Sequence, residues 1–161
     1  AVVQHHLSRL GFMGFTCTSF RAAGGLGVHS LEFSTMPPDF VAAFVESDLL
    51  MHDPVTRRAR SETGPFFWGE DDHDPQLEAH RHIARLRDDL GVQGGCCAMI
   101  SERVGAQASG GMIINASGAA FRVSESVLTA VQVIAGQVFW KLGMLRAVRQ
   151  VALEVVATPV S

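Results

Sequence analysis

A segment that binds nucleic acid normally carries an excess of positive charge, and this sequence has none. Its 13 Lys and Arg against 16 Asp and Glu leave a formal charge of -3, which argues against direct contact with a phosphate backbone. Cysteine is scarce: Cys17, Cys96 and Cys97 form an odd set with one adjacent pair. That argues against a disulfide framework and for a reducing, cytoplasmic setting. No signal peptide is visible. The most apolar segment, 127–140, is interrupted by Gln132 and Gln137 and is shorter than the ~20 residues of a bilayer span, so no membrane partner is expected.

Other absences narrow the chemistry. His5 and His6 are adjacent, and His80 and His82 are two apart. Neither pair has the one-turn helical spacing that aims two imidazoles at one ion. Asp71, Asp72, His73 and Asp74 therefore read as a solvated acidic loop. The "GGLG" at 24–27 lies between strands and opens no helix, so it makes no phosphate cradle. No base is tied to any cysteine, and no catalytic site, metal or cofactor is expected.

What is present is apolar and patterned. The 161 residues are 47% hydrophobic and 18% charged, enough for one domain with a sizeable core. Helical spacing covers 2–10, 37–47, 53–61, 75–90 and about 125–150. In the 75–90 helix Leu77, Ile83, Leu86 and Leu90 are placed inward and the arginines outward. Arg57, Arg58 and Arg60 are assigned to a solvent face. Strands are predicted at 15–22, 27–35, 64–69, 95–101 and 109–117, the first two and last two as hairpins. This is an α+β pattern, best met by an antiparallel sheet with helices on both faces. Both ends read as cuts through something longer, with 1–157 as the domain and 158–161 as the start of a linker.

One stretch, "HDPVTRRARSETGPFFW" (52–68), joins a carboxylate to a ring-rich strand. Asp53 before Pro54 suits a helix N-cap. Phe66 and Trp68 share one strand face. Phe40 and Phe44 are one helical turn apart, with Met36 just before them, and Cys97, Met99 and Ile113 sit on the late hairpin. These residues are either core filling or the walls of a pocket. Burying an ionised carboxylate without partners is costly, so Asp53 needs donors from its cap or from a ligand N–H. Chemistry alone leaves both readings open.

The run "MPPDFVAAFVESDLLMHDPVTRRARSETGPFFW", with the later "DDLGVQGGCCAMIS" and "GGMIIN", resembles the autoinducer-binding domain of LuxR-type quorum-sensing transcription regulators, from about Gly11 to the final helix. The resemblance implies an α-β-α sandwich with a five-stranded antiparallel sheet between helical layers. It also implies a hydrophobic small-molecule signal held between the sheet and one layer, a homodimer, and DNA contacted only through a C-terminal helix-turn-helix beyond this chain. Asp53 matches the aspartate that accepts a ligand amide N–H, and Trp68 the tryptophan that packs on a lactone ring. Cys97 falls at a pocket-facing position, and Ile113 near one that often carries a hydroxyl.

The departures are at Phe40, where the family has a tryptophan donor, at Met36, where it has a tyrosine, and at Phe44, where it often has a hydroxyl-bearing ring. The chain has no tyrosine at all. Each lost bond to a ligand carbonyl costs about 1–3 kcal/mol. Thr18, Ser34, Thr35, Thr56 or a bound water is the candidate to compensate. The expected signal is more hydrophobic than the family norm: acyl- or aryl-homoserine-lactone-like, or a non-lactone amide. The alternative is a stand-alone interaction protein that dimerises with full-length relatives and inhibits them without a ligand.

Overall fold

The structure is a computed structural model that describes residues 2–23, 26–100, 110–118 and 124–157. The expected turns at 24–27 and 102–107 and the tail 158–161 lie partly or wholly outside the described residues.

Helix α1 (Val2–Arg9) leads through Gly11, whose φ of 89° stops it, into β1 (Phe12–Ala23) and β2 (Leu26–Ser34). Three short helices follow, α2 (Pro38–Glu46), α3 (Leu49–His52) and α4 (Pro54–Ala59), then β3 (Phe66–Gly69) and a 3-10 turn at Glu70–Asp72. Helix α5 (Glu78–Asp89), β4 (Val92–Ile100), β5 (Gly110–Ser117) and α6 (Glu125–Ala157) complete the chain. The sheet is antiparallel in the order β2-β1-β5-β4-β3. Both expected hairpins form, and β5 inserts beside β1, with Phe15 opposite Ile114.

Strand alternation sends side chains to two layers. Cys17, Cys96, Ala98, Met112 and Ile114 face α1 and α6, where Leu7, Val131, Ala135 and Val138 cover them. Cys97, Met99, Ile113, Phe66 and Trp68 face the opposite way, toward Val55 and Ala59 of α4. A third, smaller cluster of Phe44, Leu49 and Ile83 joins α2, α3 and α5 above that layer. The architecture is the expected α-β-α sandwich.

Several boundaries differ from the sequence reading. Strand β1 starts at Phe12, three residues early, because a bulge between Phe12 and Gly14 keeps the ladder to β5 intact. Helix α3 was not anticipated. It spans only four residues after Asp48, which sits in the left-handed region at φ 52°. Helix α5 begins at Glu78, and Leu77 is exposed rather than inward. Arg87 of the same helix is buried rather than outward. Arg58 is not a bare surface charge: its guanidinium lies 4.1 Å from the Phe66 ring centroid and donates to the Phe67 carbonyl.

Helix α6 outruns the expected length. Its segment Glu125–Leu145 is long and apolar enough, by length and composition alone, to cross a membrane. Its Val131–Ala135–Val138 stripe is buried on the sheet, and Gln132 Nε2 donates to the Met99 carbonyl at 2.8 Å.

Candidate ligand-binding site

The candidate site is the seam between the sheet cluster and the α2–α3–α5 cluster. Asp53 enters it because Pro54 fixes the first turn of α4 and leaves Asp53 as its N-cap. The carboxylate accepts from Val55 N–H at 3.3 Å. The same residue is only 1% exposed, so it both caps a helix and is a buried charge. Its Oδ2 accepts from Thr56 Oγ1 at 2.8 Å, and its Oδ1 from Arg87 Nη2 at 3.0 Å. The donors that burial demands are thus supplied by the protein, filling three of the roughly four acceptor positions of a carboxylate.

Arg87 is the residue that sequence reasoning missed. Its side chain is 4% exposed, and its guanidinium stacks on Trp68 with 4.4 Å between Cζ and the ring centroid. Nη1 lies 2.9 Å from His73 Nε2. A guanidinium only donates, so that nitrogen accepts and the imidazole proton sits on Nδ1. Burial, followed by the Arg87 charge, holds the His73 pKa below its usual 6.5, consistent with a neutral ring. The "DDHDP" loop is therefore not simply solvated. Asp72 pairs with Arg58 at 3.0 Å and caps Gly69 N–H, and His80 Nδ1 accepts from Asp74 N–H. Among the described residues no group of three or more His, Cys, Asp or Glu is placed to hold a metal ion.

Trp68 lies against the sheet at Gly95, its register partner on β4. A Cβ at Gly95 would come within 2.9 Å of Trp68 Nε1 and overlap the Ile114 carbonyl oxygen, so only glycine lets the indole lie this close. Met36 is buried in the sheet cluster, and its thioether receives Asn115 Nδ2 at 3.4 Å. Phe40 and Phe44 pack ring to ring at 4.8 Å and roof the seam. Phe66, Cys97, Met99 and Ile113 are buried around Trp68. All ten residues singled out in the sequence therefore lie on the α2–α5 side of the sheet or in its roof. Thr16 and Asn115, neither of them singled out, join Asp53 and Arg87 as polar lining.

The space at the seam is small. Its cavity volume is about 20 Å³, between Phe40, Phe44, Asp53, Arg87, Ile113 and Asn115, about enough for one water molecule. The thiols offer no nucleophile. Burial drives Cys17 and Cys96 up to about 12 and Cys97 well above its ordinary value, so all three stay protonated.

The family profile described as "Autoinducer binding domain" matches residues 1–142. No curated protein matches the sequence. Among solved structures, SdiA in complex with octanoyl-rac-glycerol aligns with TM-score 0.70 and 13% identity over 90% of this chain and 58% of that one. Escherichia coli SdiA aligns at 0.64 and 14% over 99% and 63%. The N-acylhomoserine lactone dependent LuxR family factor CepR2 from Burkholderia cenocepacia aligns at 0.58 and 13% over 83% and 74%. The chain thus spans about three fifths of the SdiA chains it matches, and these likenesses concern the fold.

Proposed function

The chain belongs to the autoinducer-binding domain family, and we propose that it is the sensory part of a LuxR-type transcription regulator, binding a hydrophobic small-molecule signal with an acyl or aryl chain. The observation that carries the reading is the pairing of Asp53 with Trp68 in one buried seam between the sheet and a lightly packed helical roof. Of the roof helix α2, only Phe44 is buried. Small-molecule pockets commonly measure about 300–1,000 Å³, so a guest enters by lifting Phe40 and Phe44 from the sheet. Ligand contacts then replace the roof's contacts and stabilise the fold by linkage.

Signal binding would in turn favour a homodimer and, through a helix-turn-helix outside these residues, DNA binding. The exposed Val133, Trp140 and Met144 share one face of α6 and are the face offered to a second copy. The ligands of these structural neighbours, an octanoyl glycerol and N-acylhomoserine lactones, suggest the size class of the signal.

The test is thermal unfolding against a panel of acyl and aryl lactones, esters and amides. A ligand present at a hundred times its Kd adds about 2.7 kcal/mol, roughly a 5–10 °C rise for a domain of this size. A panel that moves nothing would sink the sensing role. It would favour the second reading, a ligand-independent interaction protein that dimerises with full-length relatives and inhibits them. What speaks for that reading is the Asp53 carboxylate already paired with Arg87 beside a one-water cavity.

A further inference from the structure

The unmet hydrogen-bonding demand of the seam runs in one direction. Among the described residues, three buried side-chain atoms have no partner: Trp68 Nε1, Arg87 Nε and Thr18 Oγ1. The first two can only donate, and the third is a hydroxyl that can. Trp68 is 4% exposed and Arg87 3%, and the guanidinium stacked on the indole brings the two side chains into one layer. Asn115 Nδ2 adds a weakly used donor, since its partner is a thioether sulfur at 3.4 Å, a weak acceptor. The strong acceptor of the seam, Asp53, is already engaged by Val55 N–H, Thr56 Oγ1 and Arg87 Nη2. Asp53 and Arg87 also cancel each other's charge, so a further ion entering the seam would be buried without a counter-ion.

We infer that the guest is a neutral hydrophobic carbonyl compound that brings acceptors and no N–H, an ester or ketone rather than an N-acyl amide, with its carbonyl on Trp68 Nε1 and Arg87 Nε. The inference rests on the sensing function proposed above and narrows it. A guest amide N–H has only the fourth acceptor position of Asp53 to use, on Oδ2 beside Thr56 Oγ1, and it adds a donor to a seam where buried donors already lack partners. A guest carbonyl meets donors that have no other partner. Walls of Phe40, Phe44, Ile113 and Met99 accept the apolar remainder.

A matched pair tests this. α-Octanoyloxy-γ-butyrolactone and N-octanoyl homoserine lactone differ only by O in place of N–H. Titrations of the purified protein, followed by Trp fluorescence and thermal shift and repeated at butanoyl and dodecanoyl length, should give the ester roughly tenfold tighter binding. Trp68→Phe keeps a ring and removes the indole donor, and it should weaken the ester roughly five- to tenfold. Arg87→Lys keeps a cation beside Asp53 and removes Nε, and it should weaken the ester in the same direction. A wild-type preference for the amide overturns the inference and leaves the sensing function standing. Ester affinity unchanged in both variants overturns the assigned seat. Silence from both series at every length overturns the sensing function along with it.

Discussion

The two faces of the sheet are built on different chemistry. Toward α1 and α6 the core is Phe12, Phe15, Cys17, Cys96, Met112 and Ile114 under Val131 and Val138, an apolar layer. Toward α2–α5 the layer also encloses Asp53, Thr56, Arg87 and Asn115, each no more than 3% exposed. A buried ion pair adds little net stability compared with well-packed apolar groups, yet losing one partner is expensive. One face is therefore organised as a folding core. The other carries desolvated charge that a purely structural layer would not need, and that is where the proposed recognition role is located.

Perturbing each face separates these roles. The largest loss is expected from Arg87→Leu, which leaves the Asp53 carboxylate buried without its ion partner. Urea unfolding should report about 3–5 kcal/mol. Adding Asp53→Leu to Arg87→Leu should recover part of that loss, and a double variant worse than the sum of the two singles would contradict the pairing. On the opposite face Ile114→Ala should cost about 2–5 kcal/mol by leaving a cavity, with no change in ligand selectivity. A changed selectivity there would blur the division between the faces.

Smaller effects belong to the supporting contacts. Thr56→Val removes the 2.8 Å bond to Asp53 and should cost about 1–2 kcal/mol. The least is expected at His73. Its folded pKa lies below the 6.5 of the unfolded chain, so above pH 6.5 both states are neutral and the residue contributes no slope. As pH falls below 6.5 the unfolded state takes up the proton first, and stability declines until the folded pKa is passed. His73→Gln should flatten that decline in denaturation midpoints measured across mildly acidic pH.

Much of the fold was legible because periodicity and punctuation agree. Gly11 and Gly91 end α1 and α5, Pro54 and Asp53 open α4, and alternation sorted Phe66 and Trp68 from Phe67 and Cys96 from Cys97. The site was legible only in part. His80, Ile83 and Arg87 follow a three-then-four spacing on one face of α5, so the pattern that found Ile83 also pointed to Arg87. It was set outward because arginine is almost never buried unless paired, and its partner lies in a different helix. The position of β5 between β1 and β4 was equally out of reach, since no local pattern encodes which strands become neighbours.

That strand order bears on how the molecule assembles. The first hairpin finds its second neighbour only when β5 arrives, so the central pairing of Phe15 with Ile114 joins segments from opposite ends of the sheet's sequence. Such a high-contact-order topology makes for slow folding, and a nascent chain would expose the β1 edge until β5 has been made.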